Sequence, residues 1–162
     1  LIDRPDAPSL FSTARVTSAD RVRGIATSGW RGRSFSLGIA DAVTVLAAKA
    51  SIADSAATLI ANAVDLPGHP AVIRVRACDV QPDNDLGERL VTHDVGPLAA
   101  KEIAVALASG VALAETLLAQ GRIVAAALHL AGETRTLGSL QGRLDAGREG
   151  AEVRPVGRRN IP

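Results

Sequence analysis

The stretch from Leu98 to Gln120 constrains this chain most, because it has only one plausible local structure. It holds no proline, it is rich in alanine, and Ile103, Leu107, Gly110, Ala114 and the pair Leu117-Leu118 recur at helical spacing. Residues three and four apart share a helix face, so these form one apolar stripe. Gly121 follows as a natural stop. The stripe is made largely of small side chains, so this helix can lie very close to whatever it packs on. A sheet is the expected partner.

Strand signals supply that sheet. Ala42 to Ala47 is a nearly continuous, valine-rich apolar run and reads as a buried central strand. Ile123 to Leu130 reads as a second, and Gly132-Glu133 turns it into Thr134 to Leu137 as a hairpin. Val22 to Ala26 predicts a strand that ends at Thr27-Ser28-Gly29, and Thr13 to Val16 a short one. Arg33 to Leu37 alternates polar and apolar residues at the period of a half-buried strand. Ser51 opens a first helix that runs to about Val64. Ser51 and Asp54 have the spacing of a capping box. Leu66-Pro67-Gly68-His69-Pro70 stops the helix. Val72 to Ala77 and Leu90 to Val95 read as strands on either side of a polar loop from Gln81 to Glu88.

This order neither alternates regularly nor excludes helices. It predicts an α+β fold, with helices packed on one face of a mixed or antiparallel sheet. The 162 residues suit one domain, read as residues 1–144. Residues 145–162 are Gly, Arg, Glu and Pro without periodicity and read as a mobile tail. Leu1-Ile2-Asp3 reads like the end of a strand, so the chain is expected to be the C-terminal part of a domain that begins upstream.

Composition narrows the functional classes. Hydrophobic residues make up 47% and aromatics 2%, a globular balance with a core of Ala, Val, Leu and Ile. Net charge is +1, and the scattered basic residues and scarce aromatics argue against a nucleic-acid partner. Charge or glycine interrupts the apolar segments short of the ~20 residues of a membrane span, so no membrane partner is expected. The single Cys78 points to a reducing compartment, hence the cytoplasm. A homo-oligomer is compatible with the apolar strand Val124 to Leu130.

Several residues carry possible chemistry. Thr27 and Ser28 offer hydroxyls at a strand end, Gly29 lets backbone approach a ligand, and Arg31 and Arg33 can contact phosphate. Gly29, Gly32 and Gly38 match no phosphate-loop spacing and read as turns. Asp54 and Thr58 lie four apart on the first helix and so share a face, where two oxygens can contribute to a hard-cation shell. Asp54 reads equally well as a first-turn acid favoured by the helix dipole. Asp41 and His93 are the candidate bases. His129, flanked by leucines, reads as a core or interface residue. No histidine sits in a metal-ligand spacing, and no G-x-S-x-G elbow is present.

Three segments taken together carry a family resemblance. Ala26-Thr27-Ser28-Gly29, then Ser34-Phe35-Ser36-Leu37-Gly38-Ile39-Ala40-Asp41-Ala42-Val43-Thr44-Val45, then Ala53-Asp54-Ser55-Ala56-Ala57-Thr58 resemble the C-terminal half of ApbE-like proteins. The match is closer to the uncharacterised bacterial and archaeal branch of that superfamily, with Asp85-Leu86-Gly87, Val91-Thr92 and Val95-Gly96 as further matches. The resemblance implies an α+β fold, FAD or FMN as ligand, and Mg²⁺ held through Asp54 and Thr58. It implies FMN transfer to a protein hydroxyl, or FAD hydrolysis, with Thr27, Ser28 and Gly29 bordering the flavin. One segment departs from the family pattern. Flavin transferases follow Ser-Gly with His-x-x-Asp-Pro-x-Thr-Gly, and Ser34 to Asp41 stands in its place here. The alternative is therefore a non-catalytic ligand-binding or interaction protein that kept the fold.

Overall fold

The computed structural model describes residues 16–17 and 19–138. The order of elements is β1 (Gly24–Ser28), β2 (Ala42–Ala47), α1 (Ala50–Ala63), β3 (Val72–Arg76), α2 (Ala77–Val80), β4 (Leu90–Val95), α3 (Ala100–Ala119), β5 (Ala125–Leu130) and β6 (Glu133–Gly138). Four strands form one sheet in the order β1-β2-β5-β6, and β3 and β4 form a separate two-stranded sheet. Every pairing is antiparallel. The fold is α+β, as the order of sequence signals implied.

Alternation along the strands divides the large sheet into two faces. Val43, Val45 and Ala47 of β2 and Ala126, Leu128 and Leu130 of β5 point into the main core. The helices close that core from one side, α1 over β1 and β2 and α3 over β5 and β6. Leu46 and Ala125 point the other way and join Val22 in a smaller cluster. Alanines on both helices keep the layers close: Ala53, Ala56, Ala57 and Ala61 on α1, Ala106 and Ala114 on α3. Gly110 marks the tightest approach. A Cβ there would sit 2.8 Å from Leu128 Cδ2 and would also strike Val64. With nearly no aromatic volume available, close layers of small residues are how this chain fills its interior.

α3 runs for 20 residues at a mean hydropathy of 1.7, enough by length and composition to cross a membrane. The expectation that every apolar segment falls short of that length is corrected. In this fold its stripe of Ile103, Ala106, Leu107, Gly110 and Ala114 is buried against protein. Gly121 ends it at φ 64°, as its position required.

Other local expectations change. β1 begins two residues later than Val22, so Thr27 and Ser28 are paired strand residues, opposite Thr44 and Val43. The Ser51–Asp54 capping box does not form. The cap of α1 is Lys49, with no side-chain hydrogen bond, which leaves Ser51 inside the helix, where its hydroxyl is too late to cap. Val72 to Ala77 gives up its last residue to the one-turn α2. β5 starts at Ala125, two residues after Ile123. The Val124 N–H instead closes onto Leu46 O at 2.7 Å. The β5–β6 turn is Ala131-Gly132, with φ of 48° and 87°. Positive φ at both positions is the two-residue turn whose twist suits a hairpin. Alanine there costs about 1–2 kcal/mol of backbone strain. The short strand read at Thr13 to Val16, the Leu1-Ile2-Asp3 segment and the tail from 145 to 162 lie outside the described residues, except for Val16, which is not in a strand.

Arg33 to Leu37 is not a strand but an extended connection clasped from three sides. The Leu37 N–H and the Ser36 hydroxyl both donate to Asn62 Oδ1 of α1, at 2.9 and 3.2 Å. The Thr92 N–H of β4 donates to Ser36 O at 2.9 Å, and its hydroxyl to Gly38 O at 2.8 Å. Arg74 of β3 donates to Leu37 O and pairs with Asp65. Ser36 and Thr92 are buried, so the alternation of this segment reflects packing against these neighbours and not a ladder.

A second tie joins the turn after α1 to α3. His69 Nε2 donates to Glu102 Oε1 at 3.0 Å, while its Nδ1 accepts the Ala71 N–H at 3.2 Å, which fixes the Nε2–H tautomer. The Ala99 N–H also donates to Glu102 Oε2 at 2.7 Å. That backbone bond, then His69, holds the Glu102 carboxyl below its ordinary value of 4.5.

Two outcomes follow. A carboxyl whose folded value is depressed adds stability above its unfolded value and loses it as pH falls through the folded one. Thermal melts should therefore decline below about pH 4.5, with a shallower decline in Glu102→Gln; an unchanged acid limb contradicts the tie. Asn62→Ala strands the Leu37 N–H and should lower the unfolding free energy by about 1–3 kcal/mol. Asn62→Asp, which keeps an acceptor, should lose less in urea unfolding.

Candidate functional site

The turn after β1 is built around one carboxylate. Asp41 immediately precedes β2, and its side chain is 14% exposed. Its Oδ1 accepts the Arg31 Nε–H at 2.6 Å and the Trp30 indole N–H at 3.2 Å. Its Oδ2 accepts the Ala131 N–H at 2.7 Å, from the far side of the sheet end. The Asp41 N–H donates to His129 O at 2.9 Å. Trp30 N–H donates to Ala40 O at 3.0 Å, and the Arg31 guanidinium lies 4.5 Å above the indole ring. A cation over an indole face adds attraction to the ion pair. A Cβ on Gly29 would run into the Asp41 and Ala40 carbonyls, so the turn requires glycine.

Antiparallel pairing gathers several candidates at this one end of the sheet. The end of β1, the start of β2, the end of β5 and the start of β6 meet there, with Ser28 opposite Val43, Ala42 opposite His129 and His129 opposite Thr134. Thr27, Ser28, Gly29 and Asp41 therefore form one neighbourhood. The register also splits them. Thr27 lies opposite Thr44 and shares a 2.8 Å hydroxyl contact with it, on the sheet face away from the helices. Ser28 lies opposite Val43, whose side chain belongs to the helix-side core, so Ser28 is on the helix side. His129 is buried on the sheet face away from the helices, opposite to its neighbours Leu128 and Leu130, and its Nδ1 is 2.8 Å from Thr134 Oγ1.

Arg33 lies further along the same connection. It is exposed and lines an open groove of about 450 Å³ with Phe35, Asn84, Leu86 and the carboxylates of Asp83 and Asp85. The Asn84 carboxamide shapes the groove wall by accepting the Leu86 and Gly87 N–H groups at 2.7 and 2.9 Å.

The other candidates stand apart. Asp54 and Thr58 are both exposed, one turn apart on the solvent side of α1. Among the described residues no three His, Cys, Asp or Glu side chains converge as a metal cluster. His93 is exposed on β4 and faces away from Thr92, whose hydroxyl turns toward Gly38.

Sequence spacing missed the roles of Trp30 and Arg31. Arg31 was read as a phosphate contact, whereas its Nε–H is taken by Asp41. The Ala131 partner lies 90 residues from Asp41, and no local pattern signals it. The one available clue was the density of Trp, Arg and Asp in an otherwise plain region.

A family model described as AbpE bacteria matches residues 4–136 of the 162-residue chain. No curated protein and no solved structure shows a significant match. The chain belongs to the AbpE bacteria family.

Proposed function

We propose that this chain is an ApbE-like protein, of the bacterial and archaeal branch it resembles, that binds a flavin or nucleotide ligand along the edge formed by Thr27, Ser28 and Gly29. The observation that carries the reading is the ordered set of ApbE-like segments between Ala26 and Thr58, all within the span matched by the family model. Arg33 is the phosphate contact, supported by its free exposure beside an open groove. A guanidinium suits a diphosphate through paired N–H donors. The acids of that groove, Asp83 and Asp85, disfavour an anion deep within it, so the proposed contact is at the Arg33 rim.

Asp54 and Thr58 offer one carboxylate and one hydroxyl, both hard oxygen donors exposed to solvent. Apart from the Thr27-Ser28-Gly29 edge, these two would hold Mg²⁺ only as a partial shell that waters and ligand phosphates would have to complete, which this ion tolerates because it keeps several waters and uses few protein ligands. When bound, Mg²⁺ supplies charge neutralisation at the diphosphate. The chain's own contribution is then to hold phosphate at Arg33 and to bring the Ser28-Gly29 backbone against the ligand. The matching activity is FMN transfer or FAD hydrolysis on a small-molecule ligand.

A second reading keeps the ligand and drops the reaction. It is favoured by the replacement of His-x-x-Asp-Pro-x-Thr-Gly by Ser34 to Asp41, and by the hydrogen bonds that both Asp41 oxygens already accept.

Titration of the full chain with FAD, with and without Mg²⁺, separates these. Saturable binding, strengthened by Mg²⁺ and weakened about tenfold or more by Asp54→Ala, a loss of ~1.4 kcal/mol or more, is the expected result. No binding, or binding indifferent to Asp54→Ala and Arg33→Ala, contradicts the site. Release of AMP, with the FMN either free or bound to a target peptide, distinguishes the enzyme from the non-catalytic binder.

A further inference from the structure

We infer that Asp41 is a positioning residue, not a proton acceptor: its carboxylate locks the Trp30 turn and the Ala131-Gly132 turn into one unit that sets the Thr27-Ser28-Gly29 edge. This rests on the ligand-edge reading only for its consequence in binding; the lock itself stands on geometry.

Both oxygens are committed. Oδ1 accepts Arg31 and Trp30, and Oδ2 accepts Ala131. Oδ1 already accepts two donors, and a proton on Oδ2 would remove the negative charge that strengthens the bonds from Arg31 and Ala131. The donors come from two connections that are remote in sequence, and Asp41 is the residue whose side chain touches both. Its backbone adds a third attachment through the His129 carbonyl. The Ala131 end needs such a tether, because its φ of 48° is a conformation that a non-glycine residue rarely holds unaided. The Trp30 end is pinned by the indole N–H, the ion pair and the cation stacked on the ring. Gly29 lies against the Asp41 carbonyl, so any shift of Asp41 moves the edge directly.

Arg31 acts here through Asp41. With its Nε–H held by the carboxylate and its guanidinium carbon 4.5 Å from the Trp30 ring centroid, it orients the acceptor that tethers Ala131. Arg33, two residues on, is left to meet a ligand. Loss of Arg31 should therefore be felt at Ala131, through the Asp41 carboxylate that both residues donate to.

The test uses the full chain and two local reporters. Trp30 is the sole tryptophan, so its emission reports one end of the lock. Amide hydrogen exchange of Ala131 reports the other. Asp41→Asn keeps the size but offers one acceptor oxygen, and it should shift Trp30 emission and speed Ala131 exchange at least tenfold. Arg31→Gln, a surface change that keeps the fold, should speed Ala131 exchange at least threefold. Arg31→Lys should restore part of the protection. Exchange in the centres of β2 and β5 should stay within twofold of the parent in the Arg31 variants, which separates the lock from general loosening. Unchanged exchange at Ala131 in Arg31→Gln, or a Trp30 shift in Asp41→Asn without an Ala131 response, overturns the proposal. A third arm titrates FAD. If the parent binds it, Asp41→Asn should weaken binding about fivefold or more, and equal affinity overturns the link to the edge. If the parent does not bind FAD, the ligand reading fails, while the two reporters still decide the lock.

Discussion

The clasp around Ser36 to Gly38 is the constraint on which the rest of the structure depends. One extended connection donates hydrogen bonds to Asn62 of α1 and accepts them from Thr92 of β4 and Arg74 of β3. It is the joint where the large sheet, the helix layer and the small two-stranded sheet meet. A buried backbone segment outside regular structure leaves polar groups that cost free energy unless paired. Here side chains from three elements pair them. The same clasp fixes where the chain emerges toward Asp41, and so where β2 begins.

From that joint the site follows by register. Pairing of β1 with β2 and of β2 with β5 carries Ser28, Asp41, His129 and Thr134 to one end of the sheet. Asp41 binds that end together and shapes the turn containing Gly29 and Trp30. The arrangement divides the labour among three acidic or basic residues that look alike in sequence. Asp41 holds structure, Arg31 holds Asp41, and Arg33 remains available at the rim of a groove.

Much of the fold was legible from the chain itself. The stripe of α3 and its stop at Gly121, the valine run of β2 and the Gly132 turn are local signals, and each matched its element. The failures have a common physical origin. Arg33 to Leu37 is clasped by three elements, and alternation cannot tell a clasp from a ladder. The start of β1 shifted because its limits are set by Ala47 and Val43 across the sheet and not by its own residues. Ser51 failed as a cap because the helix is capped two residues earlier, at Lys49. At the site, the residue types were visible but not their partners. Asp41 and Ala131 meet through sheet topology, which no spacing encodes.

The fold and membership of the AbpE bacteria family rest on structure and comparison. The ligand is the proposal built on them. A crystal structure of the full chain grown with FAD and Mg²⁺ tests it most directly. The account predicts the flavin ligand against the Ser28-Gly29 backbone, with a phosphate within hydrogen-bond distance of Arg33. FAD seated elsewhere on the molecule, or an empty edge at saturating FAD, would contradict it.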